Sequence, residues 1–282
     1  MERLTYKSFF ERVRGETLIP PIPGSIIRAR ELINEENSSL KTIAALIESD
    51  PSIAAKVLKT SNSAYYGFRR KVDSIETALI ILGLKTTYHI LESVAIISVF
   101  SKRIDTRFFR KLTYFSVLVA ITCSTVAQMA GINFHGTDYT GGLLHDIGHA
   151  AIRVVSPEHA LVLEKEGDPL TMGCEKEQTL IGIDHCRAGR ALGELWNLPE
   201  VTNECIERHH LPFINDNVIT VPALVRFAVY IVEHLYRSKN TNGLAISVPP
   251  DHFASFVQME KILGILNDRR EEIREMVNLL AN

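Results

Sequence analysis

Between Lys111 and His135 the chain carries no charged side chain, and this segment, "LTYFSVLVAITCSTVAQMAGINF", is long enough to span a bilayer or to cross a whole protein core. Ser116, Thr122, Ser124, Thr125, Gln128 and Asn133 interrupt its apolar residues, a polar load that fits poorly with lipid on every side. The composition predicts a buried helix at the centre of a soluble fold, without membrane insertion. With 282 residues and 46% hydrophobic side chains, the chain can build one large domain or two of ordinary size around such a helix.

Helical signals dominate the rest, and alternating strand-like runs are nearly absent. In "ESDPSIAAKVLKTSNSAYYG", Asp50 is a good N-cap with Pro51 in the first helical position, and Ile53, Val57 and Leu58 follow at helical spacing. Ser74 caps "SIETALIILGL", with Gly83 near its end, and "SLKTIAALIES" puts Leu40, Ile43, Ala44 and Ile47 on one face. These make three short helices packed in sequence. Pro20, Pro21 and Pro23 form an extended lead-in to a helix beginning near Gly24.

The basic stretch "SKRIDTRFFRK" breaks the texture before the uncharged helix, which is expected from about Leu112. A soft boundary there divides the chain into an N-terminal helical part, 1–108, and a helical bundle with a C-terminal extension, 109–282. Further helices are expected from Asp184 or His185 to Trp196, from Pro199 to about His209, from Pro222 to Tyr236, and from about Phe253 to the end. The turn-rich "SKNTNGLAISVPPD" reads as a flexible connection before the last of these. The expected fold class is all-α.

The 31 basic and 33 acidic side chains leave a formal charge of −2, which gives no general drive toward nucleic acid or anionic membrane. Arg69, Arg70 and Lys71 follow the aromatic pair Tyr65 and Tyr66, a combination that can contact nucleic acid, but a solvated loop accounts for it better. Ser61 and Asn62 are expected to satisfy backbone groups at a helix end. Cys123, Cys174, Cys186 and Cys205 are scattered with no CxxC pair, and the N-terminus lacks an apolar signal core. These features point to a reducing, cytoplasmic setting.

One short segment carries chemistry. "GLLHDIGHA", from Gly142 to Ala150, sets His145 beside Asp146 among apolar and small residues, and burying that pair costs free energy unless both groups are hydrogen-bonded or hold a cation. Candidate partners are His185 in "GIDHCRAG", at the start of a helix, and His209 with His210 at the end of "PEVTNECIERHH". Side chains from facing helices can converge on one point in an all-helical bundle. Imidazoles with a carboxylate favour iron, manganese, zinc or nickel over calcium. The alternative is a metal-free core pair that pins neighbouring helices. His89, His149, His159, His234 and His252 lack comparable neighbours in sequence and read as surface or singly satisfied histidines.

"GLLHDIG", then "GIDHCRAGRALGELWNLP" and "IERHH", resemble the core of the HD superfamily, whose active members are metal-dependent phosphohydrolases. "DPSIAAKVLKTSNSAYYG" and "SIETALIILGL" are similar to segments of the HDOD family, HD-related output domains of bacterial signalling proteins. The resemblance covers roughly Leu18 to His210. It implies that His145 and Asp146 form the HD dyad, that His185 is the next metal-site histidine, and that His209 and His210 are the later pair.

Two positions depart from the enzymatic pattern. Phe115 stands where active HD proteins place their first His, and Val229 stands where the closing Asp is expected. "HHLPFINDN" does not resemble the loop of the HD-GYP cyclic-di-GMP phosphodiesterases. These departures favour a non-catalytic signalling module that binds a protein partner or small ligand around a degenerate metal site. The alternative is a phosphohydrolase whose shell is completed by another side chain, such as His135 or Glu233.

Overall fold

In the computed structural model the described residues are 2–15, 19–35, 38–62, 72–213, 219–238, 253 and 258–281, and they form helices and connecting turns with no strand. The fold is all α. In order the helices are α1 (Tyr6–Gly15), α2 (Gly24–Asn34), α3 (Leu40–Glu48), α4 (Pro51–Ser61), α5 (Ile75–Ile81) and α6 (Leu84–Phe100). There follow α7 (Thr106–Met129), α8 (Thr137–Leu144), α9 (Ile147–Val155), α10 (Pro157–Glu166), α11 (Cys174–Ile181) and α12 (His185–Leu195). The chain closes with α13 (Glu200–Arg208), α14 (Val221–Ser238), α15 (Met259–Asp268) and α16 (Arg270–Ala281).

Capping chemistry sets the short N-terminal helices. Asp50 Oδ1 accepts from the backbone N–H of Ser52 at 3.0 Å and of Ile53 at 3.1 Å, and Ser74 Oγ accepts from Thr77 N–H at 3.0 Å. Ile43, Ala44 and Ile47 of α3 are buried, and α3, α4 and α5 pack on one another. At the end of α4, Ser61 donates to Val57 O, while Asn62 joins Leu58 O and both backbone groups of Val72. The expected aromatic and basic loop at 65–71, the connection at 239–251 and His252 lie outside the described residues.

The uncharged segment is the spine of the molecule. Helix α7 is the one described helix long and apolar enough to cross a membrane, and 78% of its most apolar window is buried against protein, chiefly α8, α14 and α16. Two of its buried hydroxyls have a partner each: Thr122 donates to Leu118 O and Ser124 to Asp138. The helix begins earlier than Leu112, because Asp105 caps it by accepting from Phe108 N–H at 2.9 Å. The basic stretch divides: residues 101–105 form the turn between α6 and α7, and residues 106–111 are the amphipathic start of α7, with Arg107 and Arg110 exposed and Phe109 buried. Residues 108 and 109 are consecutive within that helix.

Two other differences concern the chain ends. The last helical stretch is two helices that part at Arg269, not one. Helix α1 packs on α12 and α9, with Leu4 N–H bonded to Ile181 O and Tyr6 Oη donating to Glu194 at 2.7 Å. The N-terminus is thereby part of the floor on which the histidine-bearing helices rest.

Candidate metal centre

Four segments deliver the titratable side chains. His145 and Asp146 occupy the two-residue break between α8 and α9, His185 opens α12, His209 and His210 directly follow α13, and Glu177 comes from α11. Glycine makes the convergence sterically possible. A Cβ on Gly148 would lie 1.8 Å from His185 O, so α9 and α12 touch backbone to backbone at that point. A Cβ on Gly189, one turn into α12, would meet Ile206 of α13 at 2.5 Å. The three helices can therefore bring Asp146, His185 and His209 together only with these side chains absent.

Asp146 lies at the focus. Its Oδ1 is 3.5 Å from His185 Nε2 and 3.3 Å from His209 Nε2, and its Oδ2 is 3.3 Å from His145 Nε2. The nitrogens of His185 and His209 are 3.2 Å apart. Asp146, His185, His209 and His210 each offer one ligand atom within 4.8 Å of the others. His145, Asp146, His185 and His209 are buried, whereas the His210 side chain is 28% exposed at the rim, with Nδ1 3.8 Å from Glu233 Oε1.

On the other ring edge, three Nδ1 atoms are anchored. His145 Nδ1 bonds Gly142 O at 2.8 Å and His209 Nδ1 bonds Ile206 O at 2.9 Å; a carbonyl only accepts, so each Nδ1 carries the hydrogen. His185 Nδ1 lies 2.6 Å from Glu177 Oε2, and the same oxygen accepts His185 backbone N–H at 2.9 Å. Anchoring Nδ1 turns each Nε2 toward Asp146, the arrangement by which supporting groups prepare imidazoles as ligands.

Electrostatics sharpen this. Burial lowers the pKa of His209 to about 4, and drives that of His210 down further with help from His209 and His185. Burial would lower His185 as well, but the charge and hydrogen bond of Glu177 outweigh it and hold the ring well above the usual histidine range. For Asp146 burial works to raise the pKa, yet the surrounding histidines, His145 foremost, keep the carboxyl well below the usual range. His185 thus lies between two buried carboxylates, Glu177 and Asp146, which favour its protonated form.

Several sequence readings change here. His149 is not a surface or singly satisfied histidine: it is buried, its ring stacks on His185 at 4.2 Å, and its Nδ1 lies 3.7 Å from Glu177 Oε1. Burial lowers its pKa to about 4. It falls one helical turn beyond His145 and Asp146, so the spacing of "HDIGH" carried a signal. Glu177 carried none, because the turn between α11 and α12 brings it back across eight positions. His159 bonds Glu2 O and Glu158, and His234 bonds Tyr230 O. Phe115 is buried against Tyr236, ring centroids 4.7 Å apart, and Val229 is buried on α14. His135 is exposed, with a φ of 54°.

The family model of the HDOD domain matches residues 19–212. The chain belongs to the HDOD family. This HDOD chain is 26% identical over 226 residues to an uncharacterized protein of Treponema pallidum (strain Nichols), an alignment covering 77% of the chain and 42% of that relative, so the chain spans less than half the length of the curated protein it matches. Its fold is similar to that of a Shewanella amazonensis SB2B protein provisionally named a phosphohydrolase, with a TM-score of 0.70, 20% identity, and 96% and 97% of the two chains covered. It is also similar to a Marinobacter aquaeolei VT8 protein provisionally named a signal transduction protein: TM-score 0.65, 19% identity, 98% of this chain and 65% of the other.

Proposed function

We propose that this HDOD chain is a cytoplasmic signalling module that acts by binding a protein partner or small ligand, built around a divalent-metal centre, and that it does not hydrolyse phosphate esters. Asp146, His185 and His209 would hold the ion, with His145 and His210 beside them. Three anchored imidazoles aiming Nε2 at one carboxylate carry the reading. With neutral rings, those lone pairs and the Asp146 oxygens repel one another at 3.2–3.5 Å unless a positive charge lies among them. A proton on His185, favoured by Glu177 and Asp146, or a divalent ion among the donors can supply that charge. The donor chemistry fits iron, manganese, zinc or nickel.

A bound ion in such a site supplies Lewis acidity. The residues needed to use it for hydrolysis are what this chain lacks, since Phe115 and Val229 offer no lone pair at the two positions where the resemblance expects ligands. A second reading, an altered phosphohydrolase, draws support from Glu233: it lies one turn beyond Val229 on α14 and brings a carboxylate to the rim at His210.

Metal analysis and a phosphatase panel on the purified full chain separate the two. The expected result is about one divalent ion per chain, lost in a His145→Ala, His185→Ala double variant. Binding weakens as pH falls, because His185 must shed its proton to ligate and the other imidazoles gain protons in acid. A turnover of about 1 per second or more on any phosphorylated substrate, abolished by Asp146→Ala, would install the phosphohydrolase instead.

A further inference from the structure

Cys174 opens α11 and Cys186 lies in the first turn of α12, and the turn that returns Glu177 to His185 also brings the two sulfurs to 3.6 Å, which is contact for a pair of thiols. Neither is in a disulfide. They differ in access. Cys174 is partly exposed at the N-terminal end of its helix, where the helix dipole favours a thiolate. Cys186 is buried, with its Sγ against the rings of His185 and His209, 3.6 and 3.8 Å from their Nε2 atoms. Cys123 and Cys205 are fully buried.

We propose that Cys174 and Cys186 are a redox-active pair: a hydroperoxide oxidises Cys174, Cys186 closes a disulfide with it, and the bridged chain holds the ion of the neighbouring centre more weakly. The last clause rests on the metal-binding reading above, and the disulfide does not. In the first step the Cys174 sulfur attacks hydrogen peroxide, the O–O bond breaks, one oxygen stays on sulfur as a sulfenic acid and the other leaves as water. In the second the Cys186 sulfur attacks the sulfenic sulfur, the S–O bond breaks as the S–S bond forms, and a second water leaves. Two thiols thus give up two electrons, one peroxide is reduced to two waters, and the two thiol protons end in those waters. A thiol reductant reverses the bridge. In a reducing setting such a disulfide is transient and serves sensing rather than stability.

An S–S bond is about 2.05 Å long, so the sulfurs must close by about 1.5 Å. The segments that carry this closure are those that hold His185. Glu177 lies one turn after Cys174 on α11, and its Oε2 is 2.6 Å from His185 Nδ1 and 2.9 Å from His185 backbone N–H, contacts without slack of that size. Cys186 follows His185 directly, and any turn of its sulfur toward Cys174 changes its packing on the two rings. Oxidation therefore disturbs the anchoring of an imidazole that must ligate, and loss of such support costs about 10–100-fold in metal affinity.

Hydrogen peroxide on the metal-free full chain tests the pair, with the oxidant then removed, thiols mapped by peptide mass and zinc affinity measured against a competing chelator. The expected product joins the Cys174 and Cys186 peptides with loss of two hydrogens, is reversed by dithiothreitol, and leaves Cys123 and Cys205 as thiols. Cys186→Ser should stop at a sulfenic acid on Cys174, captured by dimedone, and Cys174→Ser should form no bridge. Folding of each variant is checked by circular dichroism, and the wild-type mass map stands without them. The bridged chain should bind zinc at least about tenfold more weakly than the reduced chain, while a Cys174→Ser, Cys186→Ser double variant stays within about twofold of reduced wild type with or without peroxide. No bridge, or bridges to other cysteines, overturns the pair. A bridge with unchanged zinc affinity overturns the coupling, as does zinc affinity lost in the untreated double variant, which would make the sulfurs ligands. A reduced chain that binds none of zinc, iron, manganese and nickel takes down the metal reading and the coupling together, and the bridge is then judged by mass alone.

Discussion

Two regions of the later bundle treat interior side chains in opposite ways. Where α7 meets α14, the rings of Phe115 and Tyr236 pack edge to face in an apolar interface, Val229 is buried on α14, and hydroxyls of α7 find single partners, as Thr122 does in its own helix. Where α9, α11, α12 and α13 meet, His145, Asp146, His149, Glu177, His185 and His209 are buried against each other. An apolar interface is stabilised by being filled, whereas a buried cluster of ionisable groups is tolerable only when its charge is balanced. The first region has the construction of a structural seam, and the second that of a site.

The sharpest way to break this contrast is to push the helices of the site apart. In Gly148→Ala the new methyl would overlap His185 O, and both neighbours are backbone, so neither can rotate away. The expected loss is above about 4 kcal/mol in urea unfolding, large enough that the variant is recovered poorly folded. Near-wild-type stability would show that α9 and α12 are not held in the close contact that aligns Asp146 with His185.

Phe115→Ala tests the seam. Removing a buried ring costs about 3 kcal/mol or more by lost burial and the cavity left behind, while metal affinity should stay within about twofold of wild type. A large drop in affinity would mean that the apolar seam shapes the site, and the division between the two regions would fail. Glu177→Gln makes the converse test. It keeps the volume and one acceptor but removes the charge that holds His185 in place, so metal affinity should fall about 10–100-fold, and the unbalanced buried cluster should also lose about 1–3 kcal/mol of unfolding free energy. Equal losses of metal affinity in Phe115→Ala and Glu177→Gln would erase the contrast.

Much of the seam was legible in the sequence, and less of the site. An uncharged segment with sparse polar residues admits few fates, and α7 took the one that composition favoured. His145, Asp146, His185, His209 and His210 stood out by motif, but neither their anchoring nor their mutual distances follow from spacing. His149 was in reach through its helical interval from His145. Glu177 was not, because its place beside His185 arises from the α11–α12 turn. The start of α7 was misjudged for a local reason: Arg107, Arg110 and Lys111 look like a break until Asp105 is seen to cap the helix.

A reference point for both regions lies in the N-terminal layer, where sequence and structure agree most closely. Asp50 satisfies two of the otherwise unpaired N–H groups at the start of α4, those of Ser52 and Ile53, and Pro51 contributes no N–H to be satisfied. Asp50→Ala hands those two groups to water, because the helix end is not sealed, and the expected cost is about 1 kcal/mol with unchanged metal affinity. Asp50→Asn keeps an acceptor oxygen in the same place and should restore most of the loss. Helix α4 also touches α16, which packs on α7, so a contact path toward the bundle exists. If Asp50→Ala changed metal affinity more than about twofold, the N-terminal layer would be coupled to the histidine cluster through that path, and a signal received on one could be read at the other.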